Sequence, residues 1–142
     1  MKLELITLSG VKYSQEAYSV VLPTAVGQIT VLADHEPLMS ALVPGVISVR
    51  REARDADDKL EHYATYGGVV EVTKNGPRIL VDEADADEDI NQAEAEKAHA
   101  EAQKLLAGAK SRVELDQAQA LVDRQAVRLQ VAGLRRRHAR RG

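Results

Sequence analysis

The sequence predicts a two-part α+β chain: an N-terminal antiparallel β-sandwich, or flattened barrel, followed by a C-terminal antiparallel helical hairpin. Two observations lead to this prediction. Apolar residues recur at every second position up to Asp82, which is the period of half-buried strands. Beyond Asp82 proline is absent, glycine is nearly absent, and the helix-favouring residues Ala, Glu, Gln and Arg dominate. We therefore assign residues 1–84 to the sandwich and residues 85–142 to the hairpin.

Pairs of apolar residues mark the candidate strands of the first part. The members of each pair are two positions apart, so their side chains lie on the same face of a strand. The pairs are Leu3/Leu5, Val20/Leu22, Ile29/Val31, Ile47/Val49, Val70/Val72 and Ile79/Val81. Glycine-containing turns separate these short strands at even intervals, which is typical of a sandwich or barrel.

Two glycine-containing sites give more specific predictions. Asn75 and Gly76 both tolerate the positive φ of a tight turn, so we expect a hairpin there. Gly67 and Gly68 lie in an apolar stretch. Two residues without Cβ at that point predict a bulge or the close approach of another backbone.

Residues 31–39 place polar side chains between apolar flanks, and Pro37 restricts the preceding residue, so we expect an exposed, stiff loop. Asp34, His35 and Glu36 in this loop suggest the hypothesis of a hydrolase or metal site. The other histidines lack ligand spacing, and no nucleophile motif, phosphate-binding loop or Cys/His cluster accompanies them. The sequence therefore favours a chain with no catalytic residue and no metal site.

Capping signals define the two helices of the second part. Asp89 has the position of an N-cap, with Gln92 able to reach back, and Gly108 is expected to end the first helix as a left-handed cap. Ser111 and Glu114 form a capping box for the second helix. Because the connection is short, the helices should lie antiparallel. The predicted helices cover about residues 90–107 and 112–138.

The second helix has more apolar surface than one partner can cover. Its first stripe is Leu115, Ala118, Val122, Ala126 and Leu129, and its second is Ala120, Val127, Val131 and Leu134. One stripe can meet the first helix, which leaves the other for the sandwich or a second protein. Each CH₂ that alanine lacks forgoes about 0.8 kcal/mol of burial, so we expect a hairpin that detaches at modest cost. A permanently docked hairpin is the alternative.

Composition restricts the possible functions. The chain has no cysteine, which excludes disulfides and thiolate chemistry. No apolar run is long enough for a membrane span and no leader pattern is present, so we expect any membrane association to come through a partner. The net charge of −3 conceals a segregation of charge. The acidic residues Asp82, Glu83, Asp85, Asp87, Glu88 and Asp89 cluster at the break, and Arg135, Arg136, Arg137, Arg140 and Arg141 make the C-terminus basic.

Four segments occur in an order that resembles the epsilon subunits of F-type ATP synthases, over nearly the whole chain. They are residues 22–38 (LPTAVGQITVLADHEPL), 42–45 (LVPG), 66–72 (YGGVVEV) and the Ala-rich hairpin. The resemblance implies a non-catalytic subunit at the foot of the central stalk of a proton-translocating enzyme, bound to the gamma subunit and the c-ring. It also implies a peripheral position at the cytoplasmic face of the bacterial cell membrane, and no cofactor.

The resemblance also implies contacts for individual residues. The loop carrying Gln28 and Ile29 is expected to face the c-ring, and His35 and Ser40 are expected to lie against the gamma subunit. Many family members have Glu where this chain has Gln28. Because a neutral hydrogen bond has about half the strength of a charge-assisted one, we expect a weaker polar contact with the ring.

The hairpin is implied to be regulatory. Folded against the sandwich it permits turnover, and extended along the stalk it hinders rotation in the hydrolysis direction, which requires two packings of similar free energy. The extended hairpin is implied to contact the catalytic beta and alpha subunits transiently. The basic residues that we expect to stabilise this extended state, against an acidic segment of beta, are Arg124, Arg128, Arg135, Arg136 and Arg137.

Some family members bind ATP in the folded hairpin, through an Ile/Leu-Asp-x-x-Arg-Ala pattern on the first helix and an arginine pair on the second. Arg124 and Arg128 match the arginine pair. The pattern of the first helix is not preserved in this chain, because Asn91 replaces the carboxylate and Glu94 replaces the arginine. A carboxylate at that point repels a triphosphate by about 1–4 kcal/mol at about 4 Å. We therefore predict that ATP binds weakly or not at all.

A different class of function is a free-standing binding module whose Arg-rich helix contacts nucleic acid or an acidic protein. A basic terminus suits such partners. However, the aromatic residues that commonly stack on bases are absent beside those arginines. The sequence therefore favours the subunit of an ATP synthase, with no nucleic-acid partner.

Overall fold

The structure is a computed structural model that describes the backbone of residues 1–141 and the side chains of residues 1–135. Its strands are β1 (Lys2–Thr7), β2 (Gly10–Glu16), β3 (Ser19–Thr24), β4 (Gly27–Leu32), β5 (Leu38–Arg50), β6 (Glu61–Thr73), β7 (Gly76–Val81) and β8 (Ala84–Ala86). The helices are α1 (Gln92–Ala107) and α2 (Arg112–Arg141), and single 3-10 turns cover Asp57–Lys59 and Asp87–Asp89. This confirms the predicted fold class, a β-sandwich followed by a helical hairpin.

The strands follow the spatial order β2-β1-β7-β6-β5-β3-β4, and β8 pairs with β6. Strands β1 and β7 run parallel, whereas the neighbours on either side of them are antiparallel. The long strand β6 changes partner along its length. Its residues 63–65 pair with β8 and its residues 68–73 pair with β7, so this one strand links two parts of the sandwich.

The core of the sandwich follows the predicted alternation. The strand residues with no solvent exposure are Leu3, Leu5, Val20, Leu22, Val31, Ile47, Val49, Val70 and Ile79. Ile29 is only half-buried, because β4 is the edge strand after β3. Tyr13 and Tyr63 complete the core with their rings. Among the described residues, the largest fully buried side chains therefore lie mostly in the sandwich.

Two glycines in β6 and β7 allow close contact between backbones. Gly68 has a φ of +156°, and a Cβ there would lie 2.3 Å from the carbonyl oxygen of Leu80. A Cβ on Gly76 would lie 2.1 Å from the carbonyl oxygen of Lys2. The predicted close backbone approach at Gly67 and Gly68 is thus confirmed at Gly68. The predicted hairpin is also confirmed, but Asn75 does not adopt a positive φ.

The caps of the helices differ in part from prediction. Asn91, not Asp89, caps α1, and its side chain accepts a hydrogen bond from the Glu94 N–H at 3.1 Å. The prediction was wrong because Asp89 belongs to a preceding 3-10 turn. Gly108 has a φ of −92°, so it ends α1 without the left-handed conformation. At α2, Ser111 accepts from the Glu114 N–H, as predicted.

The rest of the predicted capping box at α2 has a different partner. The Glu114 carboxylate accepts from the Lys110 N–H at 2.9 Å, not from the N–H of Ser111. The helices are joined by residues 108–111 and pack against each other as a hairpin. Ala95 and Ala102 of α1 and Ala118 of α2 are buried in the hairpin. In the part of the chain that the structure describes, no helix has the length and apolarity to cross a membrane.

Candidate functional site

The hairpin is docked on the sandwich through a small apolar cluster, which we call the docking cluster. Helix α2 contacts β5 and β6 across it. The buried members are Val46, Ala64, Ile90, Val127, Val131 and Ala132, and Tyr66 and Leu134 pack at its edge. Of the two partners left open for the second stripe of α2, the sandwich is the one that Val127, Val131 and Leu134 contact, whereas Ala120 is exposed.

A polar contact lies next to the docking cluster. Arg128 on α2 donates to the Asp85 carboxylate of β8 at 2.6 Å and to the Tyr66 hydroxyl at 3.3 Å. The Tyr66 hydroxyl in turn donates to Asp85 at 2.6 Å. The side chains of Arg128 and Asp85 are only 20% and 27% exposed, so water screens their attraction less than at an open surface.

Burial explains the protonation of this contact. Burial, and then the hydrogen bond to Asp85, raise the pKa of Tyr66 to about 12. Burial alone would lower the pKa of Arg128, but the hydrogen bond to Tyr66 and the charges of Asp85 and Glu83 raise it overall. At neutral pH the phenol of Tyr66 is therefore neutral and the guanidinium of Arg128 is charged.

Two further arginines of α2 contact the segment that follows β7. Arg124 pairs with the Glu83 carboxylate at 2.7 Å, and its guanidinium carbon lies 4.2 Å from the centre of the Tyr66 ring. Arg135 donates to the carbonyl oxygens of Asp87 and Ile90. Three of the five arginines assigned to an extended state therefore hold the docked state. The side chains of Arg136 and Arg137 lie outside the described residues.

The sequence missed the partners of these arginines, which are Glu83, Asp85 and Tyr66. In the sequence, the acidic residues near the break stand out only as a cluster of like charge. In the structure, residues 84–86 form β8 beside β6, and Glu83 and Asp85 meet arginines. The two carboxylates lie two residues apart near the break, and the two arginines lie four residues apart on the second helix. This matching spacing was the available signal, but the sequence does not show that the two segments are neighbours.

The residues expected at the c-ring and gamma contacts are spread over the sandwich. Gln28 is exposed on β4, and Ile29 beside it packs against the core. His35 lies in the loop after β4, with its Nδ1 2.8 Å from the backbone oxygen of Glu36. Ser40 on β5 donates to the Ala41 carbonyl at 3.1 Å. The described structure contains no partner chain, so these contacts stay predictions.

The hydrolase or metal hypothesis gains no support at the loop after β4. Asp34 has a φ of 66°, and His35 contacts the backbone of the next residue. Among the described residues, no group of three or more His, Cys, Asp or Glu side chains could hold a metal ion. Asn91, which the resemblance relates to ATP binding, is used instead as the cap of α1.

The outer face of the sandwich carries an apolar strip that the sequence did not reveal, because the residues come from different strands. Neighbouring strands pair Val11 with Ile6, Ile6 with Leu80, Leu80 with Val69, and Val69 with Ala41. We call these five residues the outer strip. Val11, Val69 and Leu80 are 62%, 45% and 39% exposed. A connected apolar surface of this kind suits binding to another protein.

The sequence of the chain matches that of known proteins along most of its length. The β-sandwich domain of the ATP synthase delta/epsilon chain matches residues 1–87. The ATP synthase epsilon chain of Herpetosiphon aurantiacus is 34% identical over 136 residues, which cover 96% of each chain. The ATP synthase epsilon chain of Brucella anthropi is 34% identical over 108 residues, which cover 76% of this chain and 77% of the relative.

Solved structures agree with this relationship. A chain in the OSCP/F1/c-ring structure of the Euglena gracilis mitochondrial ATP synthase has a TM-score of 0.79 and 25% identity, covering 93% of this chain and 80% of that chain. A chain in the central stalk/c-ring structure of the Tetrahymena thermophila mitochondrial ATP synthase has a TM-score of 0.59 and 15% identity, covering 91% and 96%, and shares the fold. The chain therefore belongs to the family of ATP synthase epsilon chains.

Proposed function

We propose that this chain is a non-catalytic central-stalk subunit of a proton-translocating F-type ATP synthase. It couples the c-ring to the gamma subunit, and its hairpin regulates ATP hydrolysis. The observation that carries this proposal is the match to ATP synthase epsilon chains over 96% of the chain, sandwich and hairpin together. The enzyme would lie at the cytoplasmic face of a bacterial cell membrane, with this chain as a peripheral subunit.

The outer strip supports a contact with the gamma subunit. Its apolar residues cross five neighbouring strands, and Met39, which is 74% exposed, lies beside it on β5. A rotor subunit that transmits torque needs a broad, rigid contact, which a sheet face provides better than a loop. We assign this face to gamma, together with His35 and Ser40.

The turn between β3 and β4 supports a contact with the c-ring. Val26 at this turn is 91% exposed, and Gln28 follows it on β4. An exposed apolar side chain next to a neutral amide can pack on and hydrogen-bond to a polar loop without a charge. We assign Gln28 and Ile29 to the ring contact.

The two states of the hairpin give the regulation. In the docked state, Arg124, Arg128 and Arg135 are used within the chain. Release of the hairpin would free these cations, with Arg136 and Arg137, for acidic surfaces of the beta and alpha subunits. The bound arginines do not favour the alternative of a nucleic-acid module, because in the docked state they already have partners. We predict that ATP binds this chain weakly or not at all, and a dissociation constant in the low micromolar range, measured by calorimetry, would contradict that prediction.

Binding to gamma is tested with Leu80→Asp, which places a charge in the outer strip. Purification of the assembled enzyme should lose this subunit, whereas Gln15→Asp on edge strand β2 adds the same charge at another exposed site and should be retained. Equal retention of both variants would remove the outer strip from the gamma contact. Circular dichroism of each variant checks that the sandwich is still folded.

Regulation is tested in the assembled enzyme with Arg136 and Arg137 both changed to Gln, because Arg135 also holds the docked state. If Arg136 and Arg137 stabilise an extended, inhibitory hairpin, ATP hydrolysis should rise. Unchanged hydrolysis would reject this role for the two arginines. Lys110→Gln, at the connection between the helices, controls for the loss of a positive charge on the hairpin.

A further inference from the structure

Helix α2 and residues 83–87 run side by side with matching spacing. Arg124 and Arg128 are four residues apart on a helix, which separates them by about 6 Å along the axis. Glu83 and Asp85 are two residues apart on an extended segment, which separates them by about 6.6 Å. Each arginine therefore lies opposite one carboxylate, at 2.7 Å for Arg124 and Glu83 and 2.6 Å for Arg128 and Asp85.

The pairing of α2 with this segment continues toward the C-terminal ends of both. Arg135, further along α2, donates to the backbone of Asp87 and Ile90, which follow Asp85 in the chain. The helix and the segment are thus parallel, and the order of partners is the same on both. Because several contacts follow the same order along both segments, they form one extended docking surface and not a single chance ion pair.

The environment makes these contacts sensitive to dissolved salt. Glu83 is 53% exposed and Arg124 is 34% exposed, so ions reach this pair easily. The pair of Arg128 and Asp85 is more enclosed, and the Tyr66 hydroxyl completes it. The distance over which charges act falls from about 30 Å at 0.01 M salt to about 3 Å at 1 M, so the attraction of the more exposed pair, Arg124 and Glu83, weakens most.

We propose that Glu83 and Asp85 serve as built-in anionic ligands of Arg124 and Arg128, so that the hairpin docks without a bound anion and ionic strength sets how often it is released. The apolar docking cluster fixes where α2 lies, and the carboxylates supply the attraction that salt can remove. The consequence for ATP hydrolysis rests on the proposed function. The docking equilibrium itself does not.

The docking equilibrium can be measured in the isolated full chain, because it has no native cysteine. Spin labels on Ser14→Cys in β2 and Ala120→Cys in α2, both exposed sites, report the distance between sandwich and hairpin. From 0.01 M to 1 M KCl, the ratio of docked to released chains should fall about five- to tenfold. A ratio that does not change with salt would overturn the proposal.

Variants identify the responsible charges. Glu83→Gln with Asp85→Asn should lower the docked ratio at low salt and remove most of its salt dependence. Asp58→Asn, an exposed carboxylate in the connection between β5 and β6, is the matched control and should behave like the native chain. If the double variant kept the native salt dependence, the arginines would owe their docking to other groups and the proposal would fail.

A charge exchange separates attraction from simple loss of structure. Asp85→Lys alone should release the hairpin, and Asp85→Lys combined with Arg128→Glu should restore docking at low salt. Failure of the exchange to restore docking would count against the proposal. These measurements use no ATP hydrolysis, so salt-controlled docking can hold even if the hairpin proves not to regulate the enzyme.

Discussion

The sandwich core and the docking cluster bury apolar side chains in different ways. The sandwich core has 16 buried residues, many of them Leu, Ile, Val and Tyr. Among the residues whose side chains are described, the docking cluster has six buried members, and their side chains are Ala, Val and one Ile. Stabilisation grows with the apolar area removed from water, so the sandwich should stay folded when the hairpin is released. The contact between hairpin and sandwich, which we call the joint, should separate more easily.

The polar contacts also make the joint easier to separate than the sandwich. In the sandwich, neighbouring strands pair through backbone hydrogen bonds, whose donors and acceptors carry no net charge for salt to screen. At the hairpin joint, arginines meet carboxylates and carbonyls at a partly open surface. The hairpin is therefore separable because its docking combines few large apolar contacts with the charge-dependent contacts of Arg124, Arg128 and Arg135.

The largest effect is expected in the sandwich core. Ile47→Ala removes a side chain with no exposure and should lower the free energy of unfolding by about 2–5 kcal/mol. Urea unfolding of the full chain followed by circular dichroism measures it. Val69→Ala, in the exposed outer strip, is the control and should change stability by less than about 0.5 kcal/mol. Similar losses for both would contradict the description of the core.

A smaller effect, confined to the joint, is expected for Val131→Ala. Val131 has no exposure and lies in the docking cluster, and loss of two methyl groups should weaken docking by about 1.5–2 kcal/mol. The spin-label distance should show more released hairpin, while the urea midpoint of the sandwich stays near its native value. If the sandwich were destabilised as much as the joint, the two regions would form one cooperative unit.

The cap of α1 should contribute about 1 kcal/mol. Asn91→Ala removes the acceptor of the Glu94 N–H, so the first turn of α1 should fray and its amide protons should exchange faster. The neighbouring change Gln92→Ala leaves the cap intact and should have little effect on exchange. No acceleration in Asn91→Ala would mean that the cap is not needed to hold the turn.

The smallest effect at neutral pH concerns two tyrosines of β6. Burial raises the pKa of Tyr66 at the joint to about 12, and burial raises the pKa of Tyr63 in the sandwich still further. Because the raised pKa means that docking favours the neutral phenol, docking should be undisturbed by Tyr66 below pH 10 and weaken as pH rises from about 10 through 12.

Release of the hairpin should change the pKa of Tyr66 but not that of Tyr63. Val131→Asp places a charge in the docking cluster, so the hairpin should leave and the pKa of Tyr66 should fall toward its ordinary value of about 10. The pKa of Tyr63 should stay raised. Nuclear magnetic resonance titration of the tyrosine rings measures both, and a parallel fall of the two values would show that undocking disturbs the sandwich.

The period of apolar residues predicted the strands and helices well because it reflects local geometry. Leu3 and Leu5 lie two positions apart, so both face the core whichever strand pairs with theirs. Ser111 caps α2 through the N–H of Glu114, which is only three residues away. The cap of α1 was misplaced because Asp89 and Asn91 are both competent caps. Only the 3-10 turn at Asp87–Asp89 decides between them.

The candidate site was less predictable because its parts are distant in sequence. Arg128 and Asp85 are 43 residues apart, and their pairing depends on where α2 crosses β6. The same holds for the outer strip, in which Val69 and Leu80 are neighbours only through the register of β6 and β7. Residue types identified the arginines as important, but tertiary structure determines what they bind in the docked state.

The parallel pairing of β1 with β7 has a consequence for how the chain is made. Strand β1 leaves the ribosome before β7, and Ile6 must wait for its partner Leu80. Such distant pairing is slow to form, and chains generally fold from the N-terminus as they emerge. The sandwich therefore closes only after β7 is made, just before Glu83 and Asp85 appear. The hairpin, which is synthesised after the sandwich, meets a docking surface that is already complete.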